Sequence, residues 1–284
     1  MADNRLALVA AALRNRLLSY AQTDTGRVRD HNEDSIGSDP ETGLYVLADG
    51  MGGYNAGEVA SGIAVKTVMG LVRDACSVQS LELPDSATGK SRPAIILRDA
   101  VLRANKLIHQ TSKTQVQCEG MGTTVVACLF HDNRVSVAHV GDSRVYRLRG
   151  DRFTQITQDH SLLQELVARG FYTPEEAARS TNKNYVTRAL GVDPTVEVDV
   201  QDIPAEPGDC LLLCSDGLSD MVADEDMQLT LQTFGHDLAV AGRQLVKLAN
   251  EQGGRDNISV MLIRVVEAFP ARKTLVERLR DWMR

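Results

Sequence analysis

Several common marks of a specific chemistry are missing from this chain. No run approaches the ~20 apolar residues that a membrane-crossing helix needs, so no integral membrane segment is expected. Residues 6–13 are apolar and follow Arg5, but Asp3 precedes them, Arg14 and Arg16 follow, and no small-x-small cleavage site appears. A secretory signal is therefore not expected. Basic excess is also absent: 31 Lys and Arg stand against 38 Asp and Glu, a net charge of −7. This argues against general nucleic-acid affinity, and no nucleic-acid partner is expected. The five cysteines (Cys76, Cys118, Cys128, Cys210, Cys214) are scattered without a Cys-x-x-Cys pair. Most lie in apolar context, which reads as reduced core residues of a cytoplasmic protein. Phosphate loop, dinucleotide fingerprint and nucleophile elbow are all lacking. The histidines His31, His109, His131, His139, His160 and His236 show no ligand spacing such as His-x-x-x-His.

What is present is a repeated device. Leu44 to Ala48 is an apolar run that ends in Asp49, followed by Gly50, Met51, Gly52 and Gly53. It reads as a buried strand delivering a carboxylate to the rim of a sheet, where glycines let backbone approach a ligand. Leu211 to Ser215 leads in the same way to Asp216-Gly217, and Val135 to Val140 leads to Gly141-Asp142. A fourth copy runs in reverse, with Gly253-Gly254-Arg255-Asp256-Asn257 opening the strand Ile258 to Ile263. Any single Asp-Gly after a strand is usually a turn. Four aspartates at four strand ends are harder to dismiss, and if gathered they would repel strongly without a cation between them.

Length and composition allow one full-sized core: 284 residues, 43% hydrophobic and 24% charged. Helical spacing covers residues 3–18, 58–72 and a stretch from Pro93 through Ile108, with 73–92 as a polar connection. Strands are expected at 19–24, 123–130, 134–140, 144–148, 196–200, 209–215 and 257–266, and helices at 224–234 and 238–251. The polar segment 26–34 is placed so that it could pair beside the Asp49 strand. The short turns require antiparallel neighbours. Runs such as Val125 to Phe130 and Leu211 to Cys214 are apolar on both faces, which antiparallel strands with one wet face are not. Two packed sheets, each covered outside by helices, satisfy both facts. The segment 158–194 interrupts the strands as a lid or docking surface, with a helix start at Thr173-Pro174-Glu175-Glu176. No linker divides the chain. We expect a helical extension at 1–18, a catalytic domain at 19–267 and a basic amphipathic helix at 268–284 folded back on the body.

A carboxylate cluster without a Cys or His partner is a hard-oxygen site, suited to Mg²⁺ or Mn²⁺. Two such ions can activate a water and clamp the oxygens of a phosphoryl group, so the pattern points to metal-assisted hydrolysis of a phosphate ester. Arg29 is the nearest fixed cation in sequence for the phosphate.

The ordered set Arg29-Asp30-His31-Asn32-Glu33-Asp34, Ala48 to Gly53, Gly122-Thr123-Thr124, Gly141-Asp142-Ser143-Arg144, Ser215-Asp216-Gly217 and Gly254-Arg255-Asp256-Asn257 resembles the metal-dependent serine/threonine protein phosphatases of type 2C, in their bacterial form. The resemblance runs over about residues 19–266. It implies an α+β fold, a four-layer α/β/β/α sandwich of two antiparallel sheets flanked by helix pairs, with a binuclear Mn²⁺ or Mg²⁺ centre at one end. By motif, Asp49 would bridge both metals, the Gly50 carbonyl would bind one, and Asp216 and Asp256 would hold the other. Glu33 and Asp34 would act through waters or outer contacts, Arg29 would bind phosphate, and Asp142 with Asp216 would hold a third, weaker ion. Segment 158–194 matches the family's flap. Phosphorylated proteins are the implied substrates and a cognate serine/threonine kinase the implied partner, for a protein expected to be a cytoplasmic monomer. The alternative is a catalytically weak phosphatase-like domain that serves as a binding module. Two departures stand out. The animal enzymes place a histidine general acid where this chain has Met51, leaving a metal-bound water as the remaining proton donor. The flap serine that some bacterial relatives use falls in register on Arg179, with Ser180 beside it.

Overall fold

Apolar residues on both faces of a strand need an apolar layer on each side, and the central strands obtain this by splitting their side chains between two cores. A computed structural model describes residues 13, 15–52, 56–78, 90–173, 176 and 185–270. In strand β3 (Leu44–Met51), Leu44, Val46 and Ala48 face one cluster while Tyr45 and Leu47 face another. In β10 (Cys210–Cys214), Leu211 and Leu213 turn towards that second cluster while Cys210, Leu212 and Cys214 turn to a third. The period-2 pleat thus makes three apolar layers from strands that look uniformly hydrophobic.

Five strands form one sheet in the order β1 (Leu17–Asp24), β11 (Ile258–Val265), β10, β7 (Arg144–Arg149), β8 (Arg152–Gln155). The other sheet runs β2 (Asp34–Asp39), β3, β5 (Val125–His131), β6 (Arg134–Val140), β9 (Asp199–Pro204), with the short β4 (Gly122–Thr123) pairing to the end of β3. Every pairing is antiparallel. Helices α1 (Ala56–Val78) and α2 (Arg92–Thr114) cover the second sheet. Helix α3 (Leu162–Ala168) lies in the insertion, α4 (Asp216–Ser219) follows β10, and α5 (Asp224–Phe234) and α6 (Leu238–Glu251) cover the first sheet. The four-layer α/β/β/α sandwich expected from the sequence is the observed architecture.

Local chemistry sets the helix starts. The Ser91 hydroxyl accepts from the Ala94 N–H with Pro93 in the first turn, and the Asp237 carboxylate accepts from the Ala239 and Val240 N–H groups. Within the insertion, Thr173 and Glu176 make the reciprocal side-chain-to-backbone bonds of a capping box.

Several boundaries differ from expectation. Helix α1 runs to Val78, into the stretch expected to be a polar connection from residue 73, and of the segment 26–34 only Asp34 pairs with β3, as the first residue of β2. Strand β1 already begins at Leu17, so the helical reading of 3–18 fails at that end; residues 3–12 lie outside the described residues, and Leu13 is buried between the sheets. The strand foreseen at 123–130 is broken at Thr124, whose N–H donates to the Asp49 carbonyl and whose hydroxyl accepts from the Asp49 N–H. Strand β9 begins at Asp199 rather than 196, because pairing is dictated by β6, from Arg134 opposite Pro204 to His139 opposite Asp199. Val196 and Val198 pack on the core without strand pairing. The expected tail helix from 271 onward, Gly53, Arg179 and Ser180 lie outside the described residues.

Candidate active site

Strand ends place the acids. Register puts Asp34, the first residue of β2, directly opposite Asp49 near the end of β3. Asp216 opens α4 two positions after the end of β10, Asp256 lies two positions before the start of β11, and Asp142 occupies the corner between β6 and β7. The sheets carry these ends to one place, so the charges are felt mutually. Asp49 is held well above the ordinary carboxylate range, first by burial and then by the charges of Asp34, Asp216, Asp142 and Asp256. Asp216 is raised in the same way by burial and by Asp142, Asp256, Asp220 and Asp34. Burial pushes Asp142 up to about 6, with Asp159 and Asp220 adding to it. Uncompensated, such a group disfavours its own ionised form.

Close backbone approach makes room for the cluster. A methyl group on Gly50 would collide with the carbonyl oxygens of Gly57 and Glu33. The Gly50 N–H donates to the Glu33 carbonyl, which also accepts from the Ser61 hydroxyl at 2.6 Å. The Glu33 N–H is bound by Asn257 Oδ1 at 2.8 Å, and Asn257 Nδ2 donates to the carbonyls of Thr25 and His31. Asn257 thereby fixes the loop that carries Arg29, Glu33 and Asp34. Asp34 Oδ2 accepts from the Ser215 hydroxyl at 2.9 Å and the Ser259 hydroxyl at 2.6 Å. Arg29 Nη2 lies 2.6 Å from Asp256 Oδ2, and this bond raises the guanidinium further.

Three carboxylate oxygens, Glu33 Oε1, Asp34 Oδ1 and Asp216 Oδ1, are buried without a hydrogen-bond partner. Buried acceptors left without a donor are costly, and these belong to an all-oxygen donor set. Hard divalent cations such as Mn²⁺ and Mg²⁺ fit them, whereas soft, thiolate-seeking metals do not.

All eight residues singled out from the sequence, Arg29, Glu33, Asp34, Asp49, Gly50, Asp142, Asp216 and Asp256, belong to this end of the sandwich. The sequence motifs contain Ser215, Asn257 and Thr124, but none of these was assigned a part in orienting the acids, and Ser259 was missed. Ser215 and Asn257 adjoin acids in Ser215-Asp216 and Asp256-Asn257, whereas Thr124 and Ser259 have no acid beside them in sequence. Sequence reasoning also missed Asp220, one helical turn beyond Asp216. The absence of histidine spacing did not foresee that His139, His160 and Asp199 bring potential ligand atoms within 4.8 Å of one another.

Comparison with known proteins agrees with this geometry. The profile of the family described as protein phosphatase 2C matches residues 23–262. The chain is 37% identical over 245 residues to a serine/threonine phosphatase stp of Listeria innocua, covering 85% of this chain and 93% of that protein. It is 34% identical to protein phosphatase PhpP of Streptococcus pneumoniae, covering 86% and 96%. Among solved structures, the catalytic domain of serine/threonine protein phosphatase PstP in complex with two manganese ions superposes with a TM-score of 0.76 at 38% identity, covering 88% of this chain and 99% of that one. The matched span contains every acid of the cluster, and the chain belongs to the protein phosphatase 2C family.

Proposed function

We propose that this protein is a metal-dependent phosphatase that hydrolyses phosphoserine and phosphothreonine in proteins. The observation that carries the reading is the convergence of Asp34, Asp49 and Asp216, each raised by desolvation and by neighbouring carboxylates, with Asp256 adding its charge from the rim and with oxygens of Asp34 and Asp216 lacking donors. Two Mn²⁺ or Mg²⁺ ions bound there supply an activated water and neutralise the phosphoryl oxygens.

The chain's own part is to hold and orient. Asp49, the Gly50 carbonyl, Asp216 and Asp256 would hold the ions. Asp34, aimed by its two serine hydroxyls, and Glu33, fixed by Asn257, act from just outside. Arg29, half exposed and beside Asp256, receives the phosphoryl group with its remaining N–H donors. Asp142 with Asp216 would hold a third, weaker ion. Met51 carries no ionisable proton, so the leaving alcohol takes its proton from water at this end of the site. The substrates are products of a serine/threonine kinase, the class of reaction that must precede this one. Five buried, unpaired cysteines support a reducing, cytoplasmic setting.

The test is hydrolysis of phosphoserine and phosphothreonine peptides with Mn²⁺ titrated in. Activity should appear at roughly millimolar metal, as befits a centre in which water supplies many ligands, and EDTA should abolish it. Full activity in chelator, or a requirement for zinc, would overturn the reading.

A further inference from the structure

The Asp142 corner is laced to the root of the insertion by two histidines. The His160 N–H donates to the Gly141 carbonyl at 2.9 Å, and the Gly141 N–H donates back to His160 Nδ1 at 3.1 Å. Two residues before Gly141, His139 Nε2 is 2.8 Å from the Gln158 carbonyl. The two imidazoles stack with centroids 4.6 Å apart. On the far side of the ring, His160 Nε2 faces Asp199 Oδ2 at 3.4 Å, and Asp199 is held by Arg188 at 3.0 Å. The His160 carbonyl accepts from the Thr187 N–H at 2.8 Å, and the next residue, Ser161, caps α3. Gly141 has φ +108°, and a methyl group there would lie 2.6 Å from the Thr124 side chain. The corner is thus pressed against Thr124 on one side and clasped by His160 on the other.

Tautomers decide what this arrangement can do. A backbone N–H only donates, so His160 Nδ1 presents its lone pair to Gly141, and the neutral ring carries its proton on Nε2, towards Asp199. These three side chains have the composition of a metal site, but a cation on His160 Nε2 would force the proton onto Nδ1, where the Gly141 N–H already points. The geometry therefore favours a relay, hydrogen-bonded at Gly141 and electrostatic at Asp199, over a second metal centre.

We propose that His160 is a positioning residue: oriented by Asp199, it fixes the Gly141–Asp142 backbone, and so the placement of the Asp142 carboxylate, and couples that placement to the root of the insertion. This rests on the reading of Asp142 as a functional acid given above. Ser143 adds to the clasp, since its hydroxyl lies 2.7 Å from that of Thr124, which in turn accepts from the Asp49 N–H. A shift of the corner would be felt at both ends of the acid cluster.

A matched pair of variants isolates the acceptor. His160→Asn keeps an acceptor near the Nδ1 position, whereas the similarly sized His160→Leu does not, and both lose the ring stack. On a phosphopeptide, His160→Leu should lower kcat about tenfold with KM changed less than about threefold, and His160→Asn should recover most of the loss. In an Asp142→Ala background, His160→Leu should cost less than about twofold more, because both act on one step. Calorimetric titration of Mn²⁺ should show His160→Leu losing the same weak binding event as Asp142→Ala. Equal losses in the Asn and Leu variants, or additive losses with Asp142→Ala, would overturn the positioning role. Full kcat in Asp142→Ala itself would instead remove the assignment of Asp142 on which it rests. Stoichiometric Zn²⁺ binding that both His160 variants lose would overturn the relay in favour of a metal site. Should His160→Leu fail to fold, Asp199→Asn supplies the test: a kcat loss of about threefold that vanishes in the Asp142→Ala background supports the relay, and no loss overturns it.

Discussion

Asp34 shows what a buried carboxyl at this site must balance. Burial pushes it up to about 7, even though the Ser259 and Ser215 hydroxyls pull the other way. Asp142, up to about 6, behaves alike. In the unfolded chain both titrate near 4. Between about pH 4 and 7 the folded chain therefore binds more protons than the unfolded one, and stability from these groups falls as pH rises through that window. In EDTA the Tm advantage of wild type over Asp34→Asn should shrink between pH 4.5 and 7. The difference is the proper measure because Asp199 and Asp202, displaced downward, tilt the opposite way. An advantage that grows with pH in EDTA would contradict the assignment. The acids themselves have a separate test: Asp49→Asn, Asp216→Asn or Asp256→Asn should each lower kcat by about 10³-fold or more without lowering the Tm of the metal-free protein. Near-normal turnover in any one would remove it from the ligand set.

At the scale of elements, the start of α2 depends on one hydroxyl with two jobs. Ser91 accepts from Ala94 and donates to Asp202 Oδ1 at 2.9 Å, while Ser136 donates to the same oxygen at 2.5 Å. Ser91→Ala should cost about 1–2 kcal/mol by denaturant melt while leaving kcat close to wild type; an unchanged melt would show the cap to be idle. Helices were the most legible elements, and α5 and α6 match the expected 224–234 and 238–251 because their apolar periodicity is local. Asp49, Asp142, Asp216 and Asp256 were each announced by an apolar run and a glycine, whereas Glu33 and Asp34 had no such signal and were named only through the family resemblance. The residues that orient them were not legible, since Ser215 reaches Asp34 across 181 positions and Asn257 reaches Glu33 across 224. Only the register of two sheets creates such pairs. The break at Thr124 was hidden for the same reason: its partner is Asp49, which no local pattern connects to it.

The molecule as a whole should depend on its ions for stability. If Mn²⁺ binds the folded chain alone, a concentration a hundredfold above Kd adds about 2.7 kcal/mol, visible as a Tm that climbs with metal. A Tm indifferent to Mn²⁺ would count against the centre. The last described residues are anchored in the body. Phe269 is buried between the sheets, 6.0 Å from the Phe130 ring centroid, with its N–H bound by Asn133 Oδ1. Deleting 271–284 should leave kcat/KM within about threefold, while a deletion that also takes Phe269 should lower Tm. Equal Tm values for the two truncations would show Phe269 to be dispensable.

The cysteines have a practical consequence. All five are buried, and burial pushes the thiols of Cys76 and Cys210 up to about 11 and that of Cys214 to about 12, with Cys128 raised too. Alkylation needs an accessible thiolate, so iodoacetamide should leave the native protein unmodified and reach all five sulfurs only in denaturant. The chain is thus a silent background for site-directed spectroscopy. A single Phe171→Cys, at a position 71% exposed in the insertion, would take a fluorophore without any native cysteine having to be removed first. Motion of that segment as Mn²⁺ or a phosphopeptide is added could then be followed in real time.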